Sequence, residues 1–453
     1  MSRHKVFVAN RGEIALRIIE ACDRLSVDTV LGVSEADRDT LATRRAGRTV
    51  VLGPARAPES YLCTESVVHA AVATGCTAVH PGYGFLSERA DFARLCSENG
   101  LIFVGPRPEH LEILGDKLSA RRVAELAGVP VSPGGETTSG AQALELAARI
   151  GYPVLVKAAF GGGGRGMKLV QAASELMAAW ELASSEAASS FGDGTVFIER
   201  FVENAKHVEV QILGDTHGHC IHLGERECSV QYRYQKVIEE APCTALSDDA
   251  RARLHGYAVR IAGQIGYVSL GTVEFLYDVE RGDMCFLEVN PRVQVEHPVT
   301  EAVTGVDLVR EQLLIAFGEP LRLRQEDVSI DGHAVELRIT AQDPTRYLRP
   351  SPGRLTRWRP PALGGVRWDT HLYEGYLFPP YYDALMAKVI AYGPDRIAAL
   401  ERLRRTLERL EVEGPITNVP LLKALLSAPE VVNNRVTTRW LEDALPRLCG
   451  SES

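Results

Sequence analysis

Lys5-Val6-Phe7-Val8-Ala9 leads into an amphipathic run from Glu13 to Leu25 and then into Asp28-Thr29-Val30-Leu31-Gly32-Val33. An apolar strand, a helix-period segment and a second apolar strand form a βαβ unit, which calls for a parallel sheet with helices on its faces. Two further runs, Ala78-Val79-His80-Pro81 and Ile102-Phe103-Val104-Gly105-Pro106, each follow a helical-looking segment and extend that sheet. Ligands on such sheets sit beyond the strand C-termini. Here those ends carry Asn10-Arg11-Gly12-Glu13 and His80-Pro81-Gly82-Tyr83-Gly84-Phe85-Leu86-Ser87-Glu88.

Outward from this sheet, a breaker-rich segment at 128–140 marks a boundary. A small middle domain follows, with a strand Val154–Ala158, a glycine cluster at 161–166, a second strand from Met167 to Gln171 and an alanine-rich helix to about Ser190. Beyond Val196 strands dominate, Val208 to Leu213 alternating along one of them, before a helix at 248–265, two more strands, and a helical run from Asp395 to Glu411. The 453 residues give a prior of three domains. With 45% hydrophobic and 24% charged residues, the composition is that of a globular protein.

The formal charge of -9 argues against nucleic acid as a partner. No apolar stretch approaches the ~20 residues that span a bilayer, so no membrane partner is expected. The nine cysteines, at 22, 63, 76, 96, 220, 228, 243, 285 and 449, have no metal-type spacing and read as reduced thiols. The only apolar residues near the start, Val6 to Ala9, fall short of an export signal, which makes a cytoplasmic location the expectation.

Gly161, Gly163 and Gly166 formally satisfy a dinucleotide fingerprint, but a strand rather than a helix follows them, so the cluster reads as a glycine hairpin. Its bare N–H groups can approach phosphate oxygens, with Arg165 and Lys157 adding positive charge. A hairpin tip without a ligand is the plainer alternative.

The segments Gly271–Tyr277 and Met284–Asn290 flank a turn and should pair as an antiparallel hairpin. Centring that turn on Arg281 places Glu274 across from Glu288, with Asn290 on the same face. Facing carboxylates repel unless a cation sits between them, and three such oxygen donors suit Mg²⁺; a solvated strand face is the alternative. The continuation Pro291-Arg292-Val293-Gln294-Val295-Glu296 is polar at every even position, so an extended chain would present Arg292, Gln294 and Glu296 together as a place for a small oxyanion, with Glu296 as general base. A polar edge strand is the simpler reading. Lys236 reads as a point charge for an anion and His207, taken alone, as a packed histidine.

Together these residues resemble the biotin carboxylase family along essentially the whole chain. The likeness rests on Ala9-Asn10-Arg11-Gly12-Glu13-Ile14-Ala15, the 80–88 segment, Gly115-Asp116-Lys117, the glycine flap, Glu288 through Glu301, and Tyr381-Tyr382-Asp383. It implies a mixed α/β and α+β ATP-grasp fold: an N-terminal parallel-sheet domain (1–115), a mobile glycine-flap lid (116–203), a catalytic domain (204–330) and a C-terminal antiparallel-sheet domain (331–446). It implies a nucleotide site of Lys117, Lys157, Gly162, Gly163, Gly164, Glu199, Val202, His207, Gln231, Glu274 and Glu288. Magnesium or manganese would rest on Glu274, Glu288 and Asn290. Bicarbonate and biotin would meet Tyr83, Lys236, Arg292, Gln294, Val295, Glu296 and Arg338, of which Lys236, Arg292, Glu296 and Arg338 are the catalytic set.

The implied reaction is ATP-dependent carboxylation of biotin by bicarbonate through carboxyphosphate, the first half-reaction of an acyl-CoA carboxylase. Because the chain has no Met-Lys-Met biotinylation motif, biotin is expected on a separate carrier protein, with a carboxyltransferase subunit and a second copy of the chain as further partners. Another ATP-grasp ligase, or a weakly active scaffold subunit, is the alternative. The chain departs from the family pattern at Phe160, Tyr232, Tyr234, Thr340 and Gln342.

Overall fold

Parallel strands Arg48–Gly53, Asp28–Ser34, Lys5–Val8, Ala78–His80 and Ile102–Phe103 lie side by side in that order; the βαβ pattern predicts the parallel sheet, to which Arg48–Gly53 adds a strand that the pattern did not single out. The computed structural model of the chain describes residues 4–158, 167–191 and 194–450. Val6, Phe7 and Val8 are fully buried, because helices cover both faces of the sheet. Beyond the strand ends, Asn10 Nδ2 donates to the carbonyls of Pro81 and Tyr83 at 2.6 and 2.7 Å. This ties the two loops together and fixes Tyr83. Gly82 between them has φ +64°, and a Cβ there would lie 2.8 Å from Asn10 Nδ2, so only glycine fits.

A four-stranded antiparallel sheet takes Gly134–Thr137, Val196–Arg200, Val154–Ala158 and Lys168–Val170 in that order. Val154 pairs with Val170 and Val156 with Lys168. The described strands on either side of the glycine cluster are antiparallel, whereas a dinucleotide fingerprint needs a strand followed by a helix. The cluster at 161–166, Gly162, Gly163, Gly164 and Arg165 included, and Phe160 before it lie outside the described residues.

The third sheet has eight antiparallel strands: Asp283–Asn290, Ser269–Asp278, Ala205–Gly214, Cys220–Tyr232, Gln235–Ala241, His333–Thr340, Leu385–Gly393 and Val366–Thr370. One continuous ladder thus joins strands within 205–290 to strands within 333–393, through pairs such as Ile238 with Leu337 and Glu239 with Glu336. Ala205–Gly214 is buried on both faces, so its alternating His207, Glu209 and Gln211 are interior polar groups.

Glu274 pairs with Glu288 as the assumed register requires, but a bulge next to it slips the pairing by one, so that Phe275 meets Phe286. The expectation of an extended chain through Glu296 fails. The strand stops at Asn290, Pro291 has no N–H to continue the ladder, and a loop carries the chain to the helix His297–Thr304, where Glu296 is the N-terminal cap residue. The last long helix ends at Arg409, and Glu411 begins the short strand Glu411–Glu413 instead.

The helix Asp248–Ile265 braces the back of this sheet. The Ser247 side chain accepts the Ala250 N–H, and Asp248 and Asp249 complement the positive end of the helix dipole. Ser247→Ala should cost about 1 kcal/mol. A urea midpoint equal to the wild-type value would show that the cap contributes nothing.

Candidate active site

A cleft of about 1050 Å³ opens among the three sheets. It is lined by Lys117, Lys157, Glu199, Val202, His207, Gln231, Glu274, Glu288 and Asn290, and also by Tyr83, Lys236, Arg292, Gln294, Val295, Glu296 and Arg338. The described residues expected to hold nucleotide, metal, bicarbonate and biotin therefore all line one cleft.

At its centre Lys236 Nζ donates to three carboxylates: Glu209 Oε2 at 2.6 Å, Glu274 Oε1 at 2.9 Å and Glu296 Oε1 at 2.6 Å. The lysine comes from the strand Gln235–Ala241, reached by a two-residue turn in which Arg233 and Tyr234 both have positive φ, 49° and 65°. Such turns favour Asn-Gly, so two bulky residues here hold a strained conformation. The turn sets Lys236 directly beside Gln231. Of the family departures, Tyr232 is buried in the C-terminal core, whereas Tyr234 is 58% exposed on the cleft wall.

Burial alone would raise the Glu296 carboxyl, but Lys236, Arg338 and Arg226 hold it well below the ordinary range. It is therefore a carboxylate at neutral pH. Burial likewise works against Lys236, whose three carboxylate partners nevertheless hold it firmly protonated. Arg338 Nη2 donates to Glu296 Oε2 at 3.0 Å and its Nε to Glu239, so Glu296 bridges a lysine and an arginine.

The Arg292-to-Glu296 loop converges on the same point by turning. Arg292 Nη1 donates to Gln294 Oε1 at 2.8 Å, its Nη2 to Asn290 Oδ1 at 3.1 Å, and its Nε to Glu88 Oε1 at 3.0 Å across to the N-terminal sheet. The Val295 carbonyl accepts from Lys388 Nζ at 2.9 Å. Lys388 also lies 3.1 Å from Glu13, which accepts from the Tyr83 hydroxyl. Nearer the lid, Lys157 Nζ donates to Glu199 Oε1 at 2.7 Å. Burial, followed by the charge of Lys157, lowers the affinity of Lys117 for its proton.

Glu274 and Glu288 face each other across the strand pair. His207 Nε2 lies 3.0 Å from Glu274 Oε2, and Asn290 Nδ2 donates to Glu274 Oε1 at 2.9 Å. Burial, and then the charge of Glu274, push the Glu288 carboxyl up. The strand register has thus brought together two acids that repel each other and are relieved by a cation.

Several residues of the site were not singled out from the sequence. Arg226, fully buried, donates to Glu209, Gln211, Thr300 and Thr272. Glu209, Glu239 and Lys388 are the others. The signal for Glu209 was present in the polar alternation 207, 209, 211; Arg226, flanked by Glu225 and Glu227, carries no local signal of the distant side chains that bury it.

Three family models match in sequence along the chain: the biotin carboxylase N-terminal domain at 2–111, the carbamoyl-phosphate synthase L chain ATP-binding domain at 116–324, and the biotin carboxylase C-terminal domain at 336–443. Biotin carboxylase of Pseudomonas aeruginosa is 49% identical over 444 residues, 97% of this chain and 98% of its own length. Biotin carboxylase 1 of Bacillus subtilis is 45% identical over 440 residues, 97% of this chain and 98% of that one. Among solved structures, the biotin carboxylase domain dimer of Hydrogenobacter thermophilus 2-oxoglutarate carboxylase, with MgADP, ADP and bicarbonate, superposes with a TM-score of 0.94 at 42% identity, covering 99% of each chain. With these matches laid over one charge-paired cleft, the chain belongs to the biotin carboxylase family.

Proposed function

We propose that the chain carboxylates biotin carried on a separate protein, using ATP and bicarbonate, as the first half-reaction of an acyl-CoA carboxylase. The observation that carries this reading is Glu296, a buried carboxylate bonded at one oxygen to Lys236 and at the other to Arg338. Lys236 and Arg292 hold bicarbonate, Gln294 and the Val295 backbone shape its place, and Glu296 takes its proton. The anion then attacks the γ-phosphorus of ATP, and carboxyphosphate forms and breaks to CO₂ and phosphate. Phosphate removes the N1' proton of biotin, and Arg338 steadies the enolate until it captures CO₂. Tyr83 closes the biotin side.

Lys117, Lys157, Glu199, Val202, His207 and Gln231 bind the nucleotide, under the flap of Gly162, Gly163 and Gly164. Glu274, Glu288 and Asn290 hold Mg²⁺, which when bound offsets charge on the phosphates. Boundaries near 115, 203 and 330 divide the N-terminal, lid, catalytic and C-terminal parts. The working assembly is a homodimer that meets a biotin carrier and a carboxyltransferase in the cytoplasm; among the described residues no helix is long and apolar enough to cross a membrane.

The test is ADP release with Mg²⁺-ATP and bicarbonate, with and without free biotin, alongside capture of labelled bicarbonate in carboxybiotin. Biotin-stimulated turnover with labelled product is expected. ATP turnover indifferent to biotin would instead identify another ATP-grasp ligase. A scaffold with a blocked site would show no rise in melting temperature with ATP, which binding otherwise requires.

A further inference from the structure

Glu239 and Glu336 lie directly opposite each other on the neighbouring strands Gln235–Ala241 and His333–Thr340. Both are fully buried. Residues paired in this way have Cβ atoms about 5 Å apart, close enough for the two acids to meet. Of their four carboxyl oxygens, only Glu239 Oε1 has a hydrogen-bond donor, the Arg338 Nε; the other three have none among the described residues. The nearby lysines are committed elsewhere, Lys236 to Glu209, Glu274 and Glu296, and Lys388 to Glu13 and the Val295 carbonyl. Two facing buried carboxylates with a single hydrogen-bonded cation between them favour holding a proton over both staying ionised.

We infer that Glu239 and Glu336 are a carboxyl pair sharing one proton, which positions Arg338 for biotin: Glu239 anchors the guanidinium as a carboxylate, and Glu336 is its neutral, protonated neighbour. With Nε held by Glu239 and Nη2 by Glu296, the remaining nitrogen, Nη1, is left for the ureido oxygen. This assignment rests on the proposed role of Arg338 towards biotin. The pair is faced by Arg338 and Lys236 from its own two strands, Lys388 from Leu385–Gly393, Cys228 from Cys220–Tyr232, and Glu296 from the site loop. Burial, opposed by Arg338, brings Glu239 up to about 7, and burial, opposed by Lys388, takes Glu336 well above the ordinary carboxyl range.

Losing the shared proton at alkaline pH would set a second negative charge beside Arg338 and draw the guanidinium away from biotin. The biotin-dependent rate should therefore fall on an alkaline limb that biotin-independent ATP cleavage does not share. Glu336→Gln, which keeps the shape of the neutral acid and cannot ionise, should move that limb upward. Glu239→Gln should raise KM for biotin at least ten-fold against a bicarbonate KM within about two-fold of wild type. An unmoved limb in Glu336→Gln, or equal effects of Glu239→Gln on both KM values, would overturn the assignment.

Infrared difference spectra supply an arm independent of turnover. A protonated-carboxyl band present at neutral pH in wild type and missing from Glu336→Gln supports the pair, and the same band in both overturns it. A wild type that biotin does not stimulate would defeat the functional reading instead, and with it the role assigned to the pair.

Discussion

Glu296→Gln should reduce bicarbonate-dependent ATP cleavage by about 10² to 10⁴-fold, the range that a positioned general base contributes, while ATP affinity stays within about two-fold. Glutamine keeps the shape and one acceptor for Lys236 or Arg338, so the pocket need not collapse. It removes the oxygen that accepts the bicarbonate proton. The loss should sit in kcat rather than in KM for bicarbonate, because taking away an anion leaves Lys236, Arg292 and Arg338 at least as attractive to an oxyanion as before. Lys236, Arg338 and Arg226 hold the carboxyl low against its burial, so wild-type activity should not decline from the base side until pH falls below the ordinary carboxyl range. Cleavage within a few-fold of wild type would remove Glu296 as the base.

The reach of the sequence is clear from particular residues. Wherever a periodic pattern met a local rule, the element was legible: Lys5 to Val33 as a βαβ unit, 248–265 as a helix, and the Glu274–Glu288 pairing from the position of a turn. Where the chain bends, periodicity no longer places the side chains. Pro291 ends the strand, so Arg292, Gln294 and Glu296 converge through a loop and not along the extended chain that their alternation implies. Residues hidden by long-range pairing were the least legible. Arg226 becomes a buried hub only because its strand lies against Ala205–Gly214, and Glu239 meets Glu336 across a ladder joining strands nearly a hundred positions apart. No local pattern encodes such partners.

Lys236→Met should be the most damaging single change to the site's stability. The ammonium lies between Glu209, Glu274 and Glu296, and methionine preserves its length while leaving three buried carboxylates with less positive charge than they were built around. Each keeps at least one partner: Glu209 retains Arg226, Glu274 retains His207, Asn290 and Gln294, and Glu296 retains Arg338. The collapse is therefore partial, and a cost of about 3–5 kcal/mol at neutral pH is the scale for an uncompensated buried ion. The sign of its pH dependence follows from the same contacts. In the wild type, despite burial, Lys236 and the other cations depress Glu274 and Glu296, which contribute stability above the ordinary carboxyl value that is lost as pH falls through their lower folded-state values. Without Lys236 these carboxyls take up protons more readily, and protonation relieves their repulsion. The stability gap between variant and wild type should narrow as pH falls from about 8 to about 5. Denaturant melts across that range measure it, and a gap constant with pH, or a variant as stable as wild type, would mean that the three acids are not held by this lysine. Lys236→Arg separates the two roles of the residue. It restores the charge, and with it part of the stability, but a planar fork cannot reproduce a point charge shared among three carboxylates, so bicarbonate-dependent turnover should stay low.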